Sequence, residues 1–338
     1  MASLALTRAS TIGPIAEAVE SAGGSIARVF RRSELPLRLL ERPQHLILLR
    51  DQLRLIENAA REIGDDALPA RLSMGAGVAG LGPYGHHVTS FPSLGLAICK
   101  TYGAMANLLQ AATRQELIVD GRWARWTYVV TESMPVGRQK NELLAIGYMV
   151  HVLRHFTGER WSPTRAELPG ARLQGRQSVE SAFGCEIARG NLAAVVFPTE
   201  LLALPNSRPT GFLGDATRQV PPPDDFLACL MHVLLLGLLD GRPRIDHVGQ
   251  QLGMSRRTLQ RRLCERATTF DALVRRVLML QASDLLKARD LPITEIAYEL
   301  GYSDPAHFSR AFRRWTRETP RSWRSVRQQP TRSRSRRK

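Results

Sequence analysis

Arginine and glutamine side chains recur in the C-terminal third of the sequence at spacings suited to hydrogen bonding with nucleic-acid bases. Arg257, Gln260 and Arg261 stand at positions i, i+3 and i+4, so a helix would present all three on one face. An arginine guanidinium can donate two hydrogen bonds to a guanine edge, and a glutamine amide can form two with adenine. We therefore expect these three side chains to read base edges.

A second set follows about fifty residues later, where His307 and Arg310 are the candidate base-reading side chains. Flanking arginines and serines are better suited to phosphate oxygens, which position a protein on nucleic acid without specifying sequence. The candidate phosphate ligands are Ser255, Arg256, Arg262, Ser303, Arg313 and Arg314. For each arginine, the alternative is a solvated side chain with no partner.

Both sets lie in an internal repeat. Ile245–Ser255 reads IDHVGQQLGMS and Ile293–Ser303 reads ITEIAYELGYS, with identical residues at four of eleven positions. Apolar residues at i, i+3 and i+7 predict a short helix in each copy. Gly253 and Gly301 fit the left-handed residue that ends a helix.

A second helix is predicted after each glycine. The serines at 255 and 303 fit its N-cap. Leu259 and Phe308 occupy matching positions on its apolar inner face, opposite the arginines. Two helices joined by a tight glycine turn form a helix-turn-helix, whose second helix enters the DNA major groove. We predict such units at 245–266 and 293–316, joined by a long helix.

The charge distribution agrees with a polyanionic partner. The chain has 47 Lys and Arg against 31 Asp and Glu, giving a net charge of +16. Residues 221–338 carry 23 basic and 12 acidic side chains, a net of +11, although they make up only a third of the chain.

Prolines in 206–223 predict a linker, which separates a domain at 1–205 from one at 224–326. The segment 327–338 has no apolar periodicity and predicts a disordered basic tail.

Residues 1–205 mix helical and strand patterns, which predicts an α+β domain followed by an all-α one. Helical spacing occurs at 12–22, 45–63, 88–111 and 138–156, and strand patterns occur at 115–119, 123–130 and 191–197. The strands suggest a modest antiparallel sheet. We expect Trp123, Trp126 and Tyr128 to share one face of a strand, where they either line a ligand cavity or only pack the sheet.

Signals for a metal, a cofactor or an enzymatic reaction are weak. His151 and His155 are spaced for one metal ion but lack the glutamate of the H-E-x-x-H zinc pattern. No two of the four cysteines are near neighbours, which argues against a zinc or redox motif and for a reducing compartment. The longest apolar run, 226–239, is too short to span a bilayer. We therefore predict a cytoplasmic protein with no metal, no cofactor, no enzymatic activity and no membrane partner.

Residues 224–324 resemble the DNA-binding domain of AraC/XylS-family transcription regulators. The second half carries the resemblance most closely, with ASDLL from Ala282, ITEIA from Ile293 and LGYSDPAHFSRAFRRWTRETPRSWR from Leu300. The first unit reads GMSRRTLQRRL from Gly253. The N-terminal part is similar to the arabinose-binding-like domain of one branch of that family, through Gly82, HVTSFPS at 87–93 and VVFPTELLALP at 195–205.

This resemblance implies a bacterial regulator in which positions 257, 260 and 261 contact bases. Its expected partners are promoter DNA, RNA polymerase if it activates, a small-molecule effector of unknown identity and a second copy of the chain. A ligand-responsive activator is the leading interpretation. One alternative is a ligand-independent DNA-binding protein whose N-terminal domain only dimerises. Another is a DNA repair enzyme with this DNA-binding domain, which would need a zinc-bound cysteine cluster that residues 1–98 lack.

Overall fold

A computed structural model describes residues 4–134, 136–170, 173–209, 219–287 and 291–327. The chain divides into two compact units between Cys229 and Leu230. Part of the predicted linker, 210–218, lies outside the described residues, as does the predicted tail after Arg327. The described linker residues belong to the N-terminal unit: the Asn206 amide donates to the Thr89 and Phe91 carbonyls, and Val220 is buried.

The N-terminal unit is built on a five-stranded sheet. Its strands are β3 (Thr113–Asp120), β4 (Trp123–Val130), β5 (Arg165–Leu168), β6 (Ile187–Arg189) and β7 (Ala193–Pro198), in the order β3-β4-β7-β5-β6. All neighbours are antiparallel except β5 and β6, which are parallel. Two shorter strands, β1 (Leu6–Arg8) and β2 (Leu46–Leu48), form a separate antiparallel pair.

The described residues of this unit before Phe226 also form eight α-helices, of which the last three in chain order contact the five-stranded sheet. They are α1 (Ile15–Ser21), α2 (Ile26–Arg32), α3 (Leu49–Ile63), α4 (Leu68–Ala76), α5 (Gly82–Val88), α6 (Leu94–Leu108), α7 (Arg138–Thr157) and α8 (Arg176–Phe183). Helix α7 contacts α3 and α4 as well as strands β4, β5 and β7. Most of its residues are buried, because it has neighbours on more than one face.

The predicted helices and strands are mostly present, with two changes. The segment 45–63 begins as strand β2 before α3 starts, since Leu46–Leu48 pairs with β1. The segment 88–111 contains the end of α5 and then α6, with a break around Pro92, whose ring cannot donate a helical hydrogen bond. Ser93 starts α6 by accepting a hydrogen bond from the Leu96 amide.

The expectation that Trp123 shares a face with Trp126 and Tyr128 is wrong. Side chains alternate along a strand, so residues three apart lie on opposite faces. Trp126 and Tyr128, two apart, are both buried. Trp123 is half-buried, with the Arg122 guanidinium 5.0 Å from its ring centroid.

Gly137 fixes the start of α7, and Gly137→Ala is expected to lower the free energy of unfolding by at least about 2 kcal/mol. Its φ is +74°, and a Cβ would lie 2.3 Å from the Leu53 carbonyl oxygen. A non-glycine residue in this backbone region costs about 1–3 kcal/mol, and overpacking adds about 1–3 kcal/mol. Urea denaturation of the two proteins measures the difference.

Gly121→Ala is the matched control. Gly121 also has a positive φ, +56°, but an added Cβ there would have no atom within 4 Å. This variant carries the backbone cost without the clash, so we expect a loss of about 1 kcal/mol. Equal losses for the two variants would contradict the role given to the Leu53 contact.

The C-terminal unit is helical throughout its described part. It comprises α9 (Phe226–Gly237, which spans the boundary), α10 (Ile245–Gln251), α11 (Arg256–Cys264), α12 (Phe270–Lys287), α13 (Ile293–Glu299), α14 (Pro305–Thr316) and α15 (Pro320–Arg327). The 18 residues of α12 extend for about 27 Å. This helix joins the α10–α11 pair to the α13–α14 pair, so the predicted long connecting helix is confirmed.

Candidate nucleic-acid interface

The two predicted glycine turns have the same hydrogen-bond pattern. Gly253 has a φ of +64°; its amide donates to the Gln250 carbonyl, and the Met254 amide donates to the Gly249 carbonyl. This pair of bonds is a Schellman motif, which satisfies carbonyl groups at the end of a helix. The second turn repeats it around Gly301, whose φ is +77°.

In the second turn the Gly301 amide donates to the Tyr298 carbonyl, and the Tyr302 amide donates to the Ala297 carbonyl. Each of these bonds has its counterpart in the first turn. Both glycines occupy a backbone region that other residues reach only at a cost. The structural role predicted for these glycines agrees with the observed turns, each of which directs the chain into an arginine-bearing helix.

Helices α11 and α14, which follow the two turns, begin differently. Ser255 caps α11, its Oγ accepting a hydrogen bond from the Thr258 amide at 3.1 Å. The expectation that Ser303 caps α14 is wrong, because Asp304 is the N-cap and its carboxylate accepts from the Ala306 amide at 2.9 Å. The second copy is one residue longer after its serine, and this residue takes over the capping position. An aspartate directly before a proline is a helix-start signal that was present in the sequence.

The inner faces of α11 and α14 are packed into the core of the C-terminal unit. Leu259 and Leu263 are buried on α11, and Phe308 and Phe312 are buried on α14. Phe308 has ring neighbours in Tyr302, at 5.6 Å between centroids, and Phe312, at 5.8 Å. Burial raises the pKa of the Tyr302 hydroxyl, so this phenol stays neutral beside the aromatic cluster.

The outer face of α11 carries the three candidate base-reading residues. Arg257, Gln260 and Arg261 are all exposed. The Arg261 side chain is 72% exposed, and its guanidinium lies 3.6 Å from the Glu265 carboxylate one turn later. An exposed pair of this kind contributes about 0–1 kcal/mol, so a partner with stronger charge can replace it.

The outer face of α14 is arranged in the same way. His307 and Arg310 are exposed, and the Arg310 side chain is 64% exposed with its guanidinium 3.9 Å from the capping Asp304 carboxylate. The structure thus places the five candidate base-reading residues on two exposed helix faces, opposite buried aliphatic or aromatic residues.

The candidate phosphate ligands are less uniform. Arg256, Arg313 and Arg314 are exposed, and Arg256 forms an ion pair with Asp246 at 3.4 Å. Arg262 is half-buried, and its carbonyl accepts a hydrogen bond from Arg266. Ser255 accepts a helix-capping bond, so its hydroxyl oxygen is already engaged; Ser303 is exposed.

The candidate metal pair has other partners. The Nε2 atom of His151 lies 2.9 Å from the Met74 carbonyl oxygen, and that of His155 lies 3.1 Å from the Asn206 side-chain oxygen. Burial lowers the pKa of both imidazoles. Over the described ranges, no three His, Cys, Asp or Glu side chains are grouped to hold a metal ion.

No single helix among the described residues is long and apolar enough to cross a membrane. One strongly bent pair, Phe226–Asp240 with Ile245–Gln251, satisfies the length and composition criteria together. Leu252, directly after this pair, and Val248 within it are both buried in the C-terminal unit.

Comparison with known proteins agrees with this geometry. The family described as the N-terminal arabinose-binding domain of AraC transcription regulators matches residues 23–206, more than half of the chain. A helix-turn-helix domain family matches residues 248–325. The chain is 27% identical over 325 residues to the ornithine utilization regulator of Pseudomonas aeruginosa, covering 90% of this chain and 92% of that protein.

Two further relatives cover different extents of the chain. The transcriptional activator RhaS of Escherichia coli is 37% identical over 83 residues, which is 24% of this chain and 30% of that protein. The crystal structure of the regulator CdpR from Pseudomonas aeruginosa matches with a TM-score of 0.40 and 19% identity, covering 89% of this chain and 96% of that one. With its sensor-type N-terminal domain and its helix-turn-helix domain, the chain belongs to the AraC family of DNA-binding transcription regulators.

Proposed function

We propose that this regulator reads two successive major grooves, with α11 in one and α14 in the next. The observation that carries the proposal is the repeated geometry: the same Schellman turn leads twice into a helix whose buried face is apolar and whose outer face bears exposed arginine. A recognition helix in this arrangement lies in the major groove, and successive grooves on one side of the duplex are about 34 Å apart. One chain would then cover about two helical turns.

On α11, Arg257, Gln260 and Arg261 are the base-reading residues of this proposal. Arginine matches the O6 and N7 acceptors of guanine, and glutamine matches the N6 donor and N7 acceptor of adenine. On α14, His307 and Arg310 have this role. Neighbouring Pro305 and Ala306 offer little hydrogen bonding, so α11 carries more of the sequence specificity.

The remaining exposed arginines hold the phosphate backbone. Arg256, Arg313 and Arg314 flank the base-reading faces. Arg262, Ser255 and Ser303 complete this set in the proposal, with the Ser255 hydroxyl donating to phosphate while its oxygen keeps capping α11. Because phosphate contacts release condensed counterions from the DNA, the affinity that they provide falls as the salt concentration rises, and it does so for every DNA sequence alike.

The same proposal assigns the N-terminal domain to effector sensing and dimerisation, and the whole protein to activation at promoters through RNA polymerase in the bacterial cytoplasm. It is supported by the N-terminal family match and by the relative named as an activator. An effector changes transcription only if it binds two states of the protein with different affinity.

Footprinting of the full-length protein on DNA upstream of its own and neighbouring genes tests the proposal. We expect protection over about two helical turns, roughly 20 base pairs, that weakens steeply with salt. Protection of a single turn would refute the two-groove arrangement. Protection that does not depend on sequence, even at the highest salt concentration that still allows binding, would refute the base-reading assignment.

A further inference from the structure

A small cavity lies inside the N-terminal unit, between the sheet and the surrounding helices. Its volume is about 40 Å³. Its wall includes Tyr84 on α5, Met105 on α6, Trp126 and Tyr128 on β4, and Asn141 on α7. These residues come from four segments, and each of those segments also contributes to the core of this unit.

Part of the wall is fixed by hydrogen bonds between buried side chains. The Tyr128 hydroxyl accepts from the Gln110 amide at 2.7 Å and from the Asn141 amide at 2.8 Å. The Tyr84 hydroxyl donates to the Gln115 side-chain oxygen at 3.0 Å. Because these buried polar groups satisfy one another, they hold the wall in one arrangement.

Trp126 differs from these neighbours. Its side chain is almost fully buried, and its indole Nε1 has no hydrogen-bond partner. Indole nitrogen is a donor only, and nearly all buried donors in proteins are paired. A buried donor without a partner, on a residue that lines a cavity, indicates a position where an acceptor from a bound molecule would be stabilised.

The cavity wall is uncharged. Among the described residues that line it there is no Asp, Glu, Lys, Arg or His side chain. Burial raises the pKa of Tyr84, Tyr128 and Tyr148, so these phenols keep their protons at neutral pH. A charged ligand would lose its hydration here and gain no counter-ion.

We propose that this cavity binds a small uncharged molecule with an oxygen that accepts a hydrogen bond from Trp126 Nε1 and an apolar body that packs on the leucine, valine and methionine side chains. The cavity has room for about two to four water molecules, since each needs about 10–15 Å³. A larger ligand requires Met105 and Met149 to rotate, and unbranched methionine side chains adapt readily.

This inference rests on the proposed function in one respect only: the expected consequence of ligand binding is a change in the affinity of the protein for DNA. Binding itself is measured without DNA. A chain that binds a neutral probe but shows an unchanged footprint would keep this inference and contradict ligand-responsive regulation. A chain that gives the expected footprint but binds no neutral probe would contradict this inference and leave the proposed DNA reading in place.

Nuclear magnetic resonance of the full-length protein, labelled with ¹⁵N at the indole nitrogens, is the test. The probes are butyramide and butyrate, which have the same shape but differ in charge, and cyclopentanone as a second neutral carbonyl. The Trp126 signal is assigned as the one missing in Trp126→Phe. We expect both neutral probes to shift the Trp126 signal saturably, with those of Trp315 and Trp323 unchanged and with butyrate at least about ten-fold weaker.

The variants Trp126→Phe and Trp123→Phe complete the test, because the two residues lie on opposite faces of β4. Thermal stabilisation by the probe reports binding in each protein. We expect Trp126→Phe to bind butyramide about five-fold to ten-fold more weakly, the contribution of one hydrogen bond, and Trp123→Phe to match wild type. No saturable shift up to the solubility limit, equal binding by Trp126→Phe, or equal binding of butyrate would each overturn the proposal.

Discussion

Phe308→Ala is expected to lower the free energy of unfolding of the C-terminal unit by about 3–5 kcal/mol. Phe308 is fully buried and has the rings of Tyr302 and Phe312 as neighbours, and Phe312 in turn lies edge-on to Trp323 at 6.1 Å. Removing the ring leaves a void within this row of aromatic side chains, between Tyr302 and Phe312. Chemical denaturation followed by tryptophan fluorescence measures the loss.

Arg310→Ala, two residues further along the same helix, is the matched control. Arg310 is exposed, and its ion pair with Asp304 is loose, so its removal should change the free energy of unfolding by no more than about 0.5 kcal/mol. Both variants should weaken DNA binding, but for different reasons. Phe308→Ala acts through loss of the fold, whereas Arg310→Ala removes a proposed base contact. A Phe308→Ala protein as stable as wild type would show that the packing of α14 does not depend on this ring.

The double variant Arg261→Ala/Arg310→Ala is expected to lose about 2–6 kcal/mol of binding free energy at the protected site, with each single variant losing about 1–3 kcal/mol. The two residues stand on different helices, α11 and α14, and share no partner. Effects at independent sites add. Titration of the labelled site with wild type, both single variants and the double variant measures the sum.

Specificity is tested by repeating the titrations on sites with single base-pair substitutions. Arg261→Ala should make binding insensitive to one substitution that weakens wild type. Arg61→Ala is the control, because Arg61 is also exposed and paired with a glutamate four residues away, Glu57, but lies on α3 of the N-terminal unit. If Arg61→Ala weakens binding as much as Arg261→Ala, the loss reflects general charge rather than base reading.

The sequence predicted the helix-turn-helix units well because their determinants are local. Leu259 and Phe308 fall at helical spacing from the flanking apolar residues, and Gly253 and Gly301 each follow a helix directly. Each feature depends on residues within about two helical turns. The error at the start of α14 came from carrying Ser303 over from the first copy, although Asp304 and Pro305 already encoded the cap.

The N-terminal unit was predicted less completely. The two strands of its antiparallel hairpin β3–β4 were predicted as the patterns 115–119 and 123–130, but their pairing was not. The parallel pair β5–β6 and the place of β7 between β4 and β5 were not predicted. Strand patterns show which residues are half-buried, but they carry no information on which strand becomes the neighbour across a long connection.

The sequence by itself therefore determined the family, the two-domain order and which faces of α11 and α14 carry arginine, because helix periodicity, caps and turns act over short distances. Only the tertiary structure decided that Gln110, Trp126, Tyr128 and Asn141 help line one cavity, and that the Nε1 atom of Trp126 is buried without a hydrogen-bond partner. These residues are brought together by sheet pairing and by the burial of α7 against the sheet. Burial and hydrogen-bond satisfaction depend on the whole core, so no spacing along the chain encodes them directly.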